Sequence, residues 1–263
     1  MKKQIMMAMA ACAMVAQAQQ ADQDAELAKK LANPVAALIS VPLQYNFDSK
    51  FGLKDDGSKS VLNIQPVIPF SLGEDWNLIT RTIIPLVDQH NIPTGSDKSG
   101  TGDIVQSFFF SPKQPVNGWI LAVGPVGLYP TASNSQLGGE KWGAGPTALA
   151  LKQDGPWTYG LLANHIESFA GDDSRDDISL SLVQPFVSYI TATKTTFTLN
   201  TESTYDWKND QWAVPVNGMV SQLLKVGRQI FQVSAGVRYW AESPDAGPEG
   251  LGVRAAVTFL FPK

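Results

Sequence analysis

From Val41 to the end of the chain, apolar side chains recur at every second position, and no other feature narrows the fold so far. Val41, Leu43, Tyr45 and Phe47 alternate with Pro42, Gln44 and Asn46. Phe197, Leu199, Thr201, Ser203, Tyr205 and Trp207 leave Thr198, Asn200, Glu202, Thr204 and Asp206 opposite. Phe231, Val233, Ala235, Val237 and Tyr239 leave Gln232, Ser234, Gly236 and Arg238. Successive side chains of a strand point to opposite faces, so each run reads as a strand with one apolar face and one polar or small face. About twelve such segments of about 9 to 14 residues follow one another, the length a tilted membrane strand needs. The runs at 102–111 and 141–152 are ambiguous in their facing.

The links between the runs alternate in length. Asp48–Ser60, Gln89–Thr101, Pro130–Lys141, Gly171–Asp176 and Glu242–Gly250 are long and polar, with Asn209-Asp210 the short exception. Ser71–Asp75, Pro112–Asn117, Gln153–Gly155, Thr191–Lys194 and Lys225–Gly227 are brief. A barrel with both chain ends in the periplasm has long outer loops and short inner turns. The predicted fold is therefore all-β, an antiparallel transmembrane barrel of about twelve strands preceded by a short N-terminal helix.

The first residues fit an exported, outer-membrane protein of a Gram-negative cell. Lys2 and Lys3 precede an apolar run from Ile5 to Ala16, and Ala16-Gln17-Ala18 fits a cleavage site. The expected organisation is a signal peptide over 1–18, an N-terminal periplasmic segment or plug helix over 19–40, and the barrel over 41–263. Within 22–39, Leu27, Leu31, Val35 and Leu38 supply an apolar side, and Pro34 kinks or ends the helix. The one cysteine, Cys12, falls in the leader, which leaves the mature chain no thiol for disulfides or metal. A net charge of −4 gives no footprint for nucleic acid.

Two features bear on barrel closure. Val253, Ala255, Val257, Phe259 and Phe261 form one face of a final strand. An amphipathic last strand ending in an aromatic is what barrel-assembly machinery reads, although Pro262 and Lys263 follow the aromatic here. Against closure, Pro66, Pro85, Pro125, Pro146, Pro185 and Pro215 sit inside predicted strands. Proline has no ladder donor and a closed barrel has no edge, so bulges or broken pairing are expected at each. Phe70, Trp76, Trp119, Tyr129, Trp157, Tyr189, Trp207, Trp212, Tyr239 and Trp240 gather near strand ends, as in the aromatic girdles that meet the headgroups of outer-membrane lipid.

The sequence carries no nucleophile-elbow, zincin or phosphate-loop motif. His165 is the one histidine inside a predicted strand, with Glu167, Ser168, Ser179 and Ser181 nearby, and no catalytic residue is assigned. Asp172, Asp173, Asp176 and Asp177 crowd one outer loop with Arg175 among them. They read either as a divalent-cation site or as a solvated rim. Neither a resident metal nor a cofactor is expected. The candidate transport path is the inward set Gln65, Arg81, Asn200, Glu202, Asn217, Gln232, Arg238 and Arg254. Three readings stand: a pore or carrier for a small-molecule solute, a sealed structural barrel, and a lipid hydrolase.

Leu31-Ala32-Asn33-Pro34, Ile39-Ser40-Val41-Pro42-Leu43-Gln44, Asn63-Ile64-Gln65-Pro66-Val67-Ile68-Pro69-Phe70, Ile83-Ile84-Pro85-Leu86 and Gly102-Asp103-Ile104 resemble the family named for the MetA pathway of phenol degradation. Its members carry transporter labels or a misleading neuromedin U tag. The resemblance covers nearly the whole mature chain. It implies an outer-membrane barrel serving uptake of hydrophobic or aromatic compounds, and it carries over no catalytic residue.

Overall fold

The structure, a computed structural model, describes residues 25–227 and 229–261. The predicted leader at 1–18 with Cys12, the start of the segment at 19–40, and Pro262-Lys263 lie outside the described residues.

One antiparallel sheet forms the whole wall. Its strands are β1 (Ile39–Phe51), β2 (Gly57–Ile64), β3 (Val67–Leu72), β4 (Trp76–His90), β5 (Lys98–Thr101), β6 (Ile104–Pro112), β7 (Trp119–Tyr129) and β8 (Lys141–Asp154). They continue as β9 (Trp157–Gly171), β10 (Ser179–Ile190), β11 (Thr195–Thr201), β12 (Ser203–Asp206), β13 (Gln211–Val226), β14 (Gln229–Glu242) and β15 (Gly250–Phe261). β1 pairs with β15 from Ile39 opposite Phe261 to Phe47 opposite Val253, and this seam closes the sheet into a barrel. Three staves are each split in two: β2 and β3 at Gln65-Pro66, β5 and β6 at Gly102-Asp103, and β11 and β12 at Glu202. Counted as staves, the wall has twelve strands. A short helix, α1 (25–31), precedes it.

Proline explains where the ladders fail. Pro66 lies in the first split, and Pro85 sits beside the second, where the Gly102 N–H donates to its carbonyl at 2.9 Å. Pro125 and Pro146 face each other across β7 and β8. On their far sides the pairing skips. β6 and β7 pair at Ser107–Val126 and resume at Phe110–Val123, and β8 and β9 pair at Ala144–Glu167 and resume at Thr147–Asn164. Pro185 and Pro215 flank the split at Glu202, and β13 shifts register against β14 between Val214 and Pro215. Each missing N–H is thus accommodated by a gap or a bulge, as expected.

The outward faces are apolar. Val123, Leu161, Leu199, Val220, Val237 and Val253 all stand exposed on the outside of the wall. No described helix is long and apolar enough to cross a membrane, so the strands do the crossing. A closed barrel with an apolar rind belongs in the outer membrane. Aromatic rings collect toward its two ends. Trp157 and Tyr189 meet at 4.8 Å near the short turns, and Tyr205 meets Trp207 edge-on at 4.8 Å and Trp212 at a tilt at 4.9 Å near the outer loops. Trp240 departs from the predicted girdle. It points inward, and its indole N–H donates to Asp48 Oδ1 at 2.8 Å.

The outer hairpins keep pairing farther than the sequence suggested. β1 and β2 run on to Phe51 and Gly57, which reduces the 48–60 link to residues 52–56. β4 and β5 likewise pair from Leu86–Thr101 to Gln89–Lys98. Polar side chains at these positions face water or the lumen, which permits pairing above the lipid.

Candidate functional site: the barrel lumen

Cross-strand partners share a face, so the registers fix what lines the interior. Arg81, Asn200, Asn217, Gln232, Arg238 and Arg254 fall on the inward face, and Gln65 and Glu202, between strands, reach inward to Arg81 and Arg254. They do not act as one cluster. Arg254 on β15 is the hub. It donates from Nη1 and Nη2 to the two Glu202 oxygens at 2.8 and 2.7 Å, and from Nε to Asn46 Oδ1 at 2.6 Å. Glu202 reaches it because the split between β11 and β12 frees that residue from the ladder. The pair ties staves three places apart around the wall. A planar guanidinium fork matches a carboxylate in this bidentate manner.

Beside this hub, Arg238 pairs with Asp48 at 3.4 Å and lies over the Trp240 ring at 4.6 Å. Asn217 Nδ2 donates to Asn200 Oδ1 at 2.8 Å. Arg81 stands apart on β4, where its Nη2 donates to Gln65 Oε1 at 2.8 Å. Gln232 lies lower, opposite Leu223. The sequence reading missed Asn46, Asp48 and Gln89, all buried, and Lys59, which faces Asp48 across β1 and β2. The signal was present: Asn46 and Asp48 continue the inward register of Gln44.

The other side of the interior carries an apolar cluster between buried polar residues such as Gln89, Ser107, Ser111 and Thr147. Ile79, Phe109, Ala122, Leu149, Leu151 and Leu162 point inward from β4, β6, β7, β8 and β9, and form one buried cluster with Val67. Val35, from the segment after α1, is buried among them. Ala36 and Leu38 pack with Leu260, Leu223 and Ile230. The Gln153 side chain donates to the Lys29 carbonyl at 2.8 Å. Residues 27–38 therefore lie inside the end of the barrel that carries the short turns.

Two other sequence candidates resolve differently. His165 and Ser181 face outward from β9 and β10, directly opposite in register, with Nδ1 and Oγ 2.9 Å apart. Glu167 lies 3.5 Å from Nε2, and the Trp207 indole donates to Ser181 Oγ at 2.9 Å. The acidic loop is knitted into the rim. Asp172 accepts from the Ser174 N–H and hydroxyl at 2.8 and 2.7 Å. Asp177 pairs with Lys141 at 3.2 Å, and that ammonium's hydrogen bond and charge hold its carboxyl below the usual range. Arg175 donates to the Ser135 and Gly138 carbonyls. No group of three or more potential metal ligands occurs among the described residues.

No family model and no curated protein matches the chain. Among solved structures, it is similar to the COG4313 outer membrane channel from Pseudomonas putida F1, at 14% identity and a TM-score of 0.68, over 86% of this chain and 96% of that one. It is also similar to outer membrane phospholipase A from Escherichia coli, at 9% identity and a TM-score of 0.51, over 84% and 90% respectively. At these identities the likeness is one of fold, and that fold is the outer-membrane β-barrel.

Proposed function

We propose that the chain is an outer-membrane channel for small compounds with an aromatic or otherwise apolar body, of the kind that the resemblance to the phenol-degradation family implies. The observation that carries this reading is the divided lumen: a charged, hydrogen-bonded network on one side faces an apolar cluster on the other. A solute with a polar end and an apolar body finds partners on both. The likeness in fold to a known channel supports the same reading. Residues 27–38 act as the plug, and the inward polar residues tune what passes. The last strand, sealed against β1, serves as the assembly signal.

Reconstitution in planar bilayers tests the proposal. Discrete current steps are expected, and they should grow when residues 25–36 are deleted. Silence from correctly folded protein, with and without the deletion, would favour a sealed structural barrel instead.

A second reading draws on the outward Ser181–His165–Glu167 arrangement, which has the order of nucleophile, base and orienting acid. It would suit an ester of a membrane lipid. The Trp207 N–H, however, engages the serine oxygen that would have to attack. A serine-directed fluorophosphonate should leave the wild-type protein unlabelled; labelling abolished by Ser181→Ala would reinstate the hydrolase.

A further inference from the structure

We infer that a cavity between the N-terminal segment and the wall binds one small monocarboxylate, with its carboxylate on Arg81 and its body against the apolar lining. The inference rests on the channel reading and names the class of solute.

The cavity has a volume of about 180 Å³. Drug-sized sites run from about 300 to 1,000 Å³, so this one has room for a single small molecule. Its polar lining includes Arg81, Lys30, Gln65, Gln184, Gln232 and Asn33, and among the described residues that line it there are two cations and no acid. Leu38 and Val67 supply apolar surface. Two Gln-Pro dipeptides, Gln65-Pro66 and Gln184-Pro185, bring their glutamines here from opposite sides, each beside an interrupted ladder.

The cations are not equivalent. Lys30 is already paired with Glu26 at 3.1 Å. Arg81 has one hydrogen-bond partner among the described residues, the neutral Gln65, and no carboxylate within ion-pair reach. Glu202, the acid whose charge is felt at Arg81, is held in both oxygens by Arg254. A guanidinium has five N–H donors in a rigid fork, so most of Arg81's capacity stays open. A part-buried cation with no carboxylate in ion-pair reach among the described residues is incompletely compensated, and a planar carboxylate that meets the fork supplies two charge-assisted hydrogen bonds. A neutral amide of the same shape supplies no counter-charge.

Titration calorimetry of the refolded mature protein with benzoate and with benzamide tests this. Benzoate is expected to bind at least about tenfold more tightly than benzamide. Arg81→Met should abolish the preference, and Arg81→Lys should retain part of it. Equal affinity for the two ligands, no binding of either, or unchanged benzoate affinity in Arg81→Met would overturn the inference. Should Arg81→Met fail to fold, the ligand pair on wild-type protein decides alone. Conductance of the same preparation separates the two proposals. Benzoate preference without current steps sinks the channel and leaves the pocket, whereas current steps without benzoate preference sink the pocket and leave the channel.

Discussion

The two walls of the lumen are built on opposite physical terms. Along β4 and β6 to β9 the inward positions include Ile79, Phe109, Ala122, Leu149, Leu151 and Leu162, covered by Val35 as the core of a soluble domain would be, with Arg81, Gln89, Ser107, Ser111 and Thr147 above and below them. Along β11 to β15 and β1 they include Asn200, Glu202, Asn217, Arg238, Arg254, Asn46 and Asp48, held by directed hydrogen bonds and ion pairs, with Leu223, Ile230 and Leu260 below them. The first wall depends on a separate segment to exclude water; the second is cross-linked by its own side chains, with Asn217 Oδ1 and Arg238 Nε left buried and without a partner. The difference teaches that a barrel interior need not be uniformly polar. It needs only that each wall have something to face. It also means that movement of the N-terminal segment would expose the apolar wall and leave the polar wall intact.

The largest expected effect of breaking this contrast is on the apolar side. Phe109 is 1% exposed and fully enclosed by the cluster. Phe109→Ala removes its transfer energy and leaves a cavity, at about 3–5 kcal/mol. Urea unfolding in detergent should show that loss. The deletion of residues 25–36 should reduce it, because the cluster then already lacks its cover. If Phe109→Ala costs the same with and without the segment, Val35 does not complete the core.

How much could be read in the sequence follows the same division. On the polar wall the period-two pattern is unambiguous, since a run such as 197–207 keeps Asn200 and Glu202 against Phe197 and Leu199. There the facing came through, while the prolines marked interrupted ladders on both walls. On the apolar wall the pattern fades. Phe108, Phe109 and Phe110 are consecutive, and so are Ala148, Leu149, Ala150 and Leu151, because one face meets lipid and the other meets the N-terminal segment. A strand apolar on both faces gives no alternation to read. Nor could local pattern show that Arg254 would find Glu202 at a separation of 52 residues. Side-chain reach across a lumen is set by closure, which no single strand encodes. Trp240 lies near a strand end, as the girdle reading requires, but parity puts it inside with Arg238.

A smaller effect is expected on the polar side, and it separates the walls most cleanly. Glu202→Gln keeps the shape and one acceptor but removes the charge that holds Arg254. Arg254 is 4% exposed and cannot shed its proton, so it is left as an uncompensated cation. Removing one partner of a fully buried pair costs about 3–5 kcal/mol. Here the Glu202 side chain retains 26% exposure, and Asn46 still accepts from Arg254 Nε, so about 2–3 kcal/mol is the expected loss. The mutation also adds a net positive charge to the bore. Reversal potentials across a salt gradient should therefore move toward anions, a shift that Phe109→Ala has no reason to cause. Equal stability of Glu202→Gln and wild type would mean the bridge is incidental to the wall. A selectivity shift without a stability loss would mean the charge acts on solutes alone, and the idea of a polar wall held together by its own ion pairs would fall.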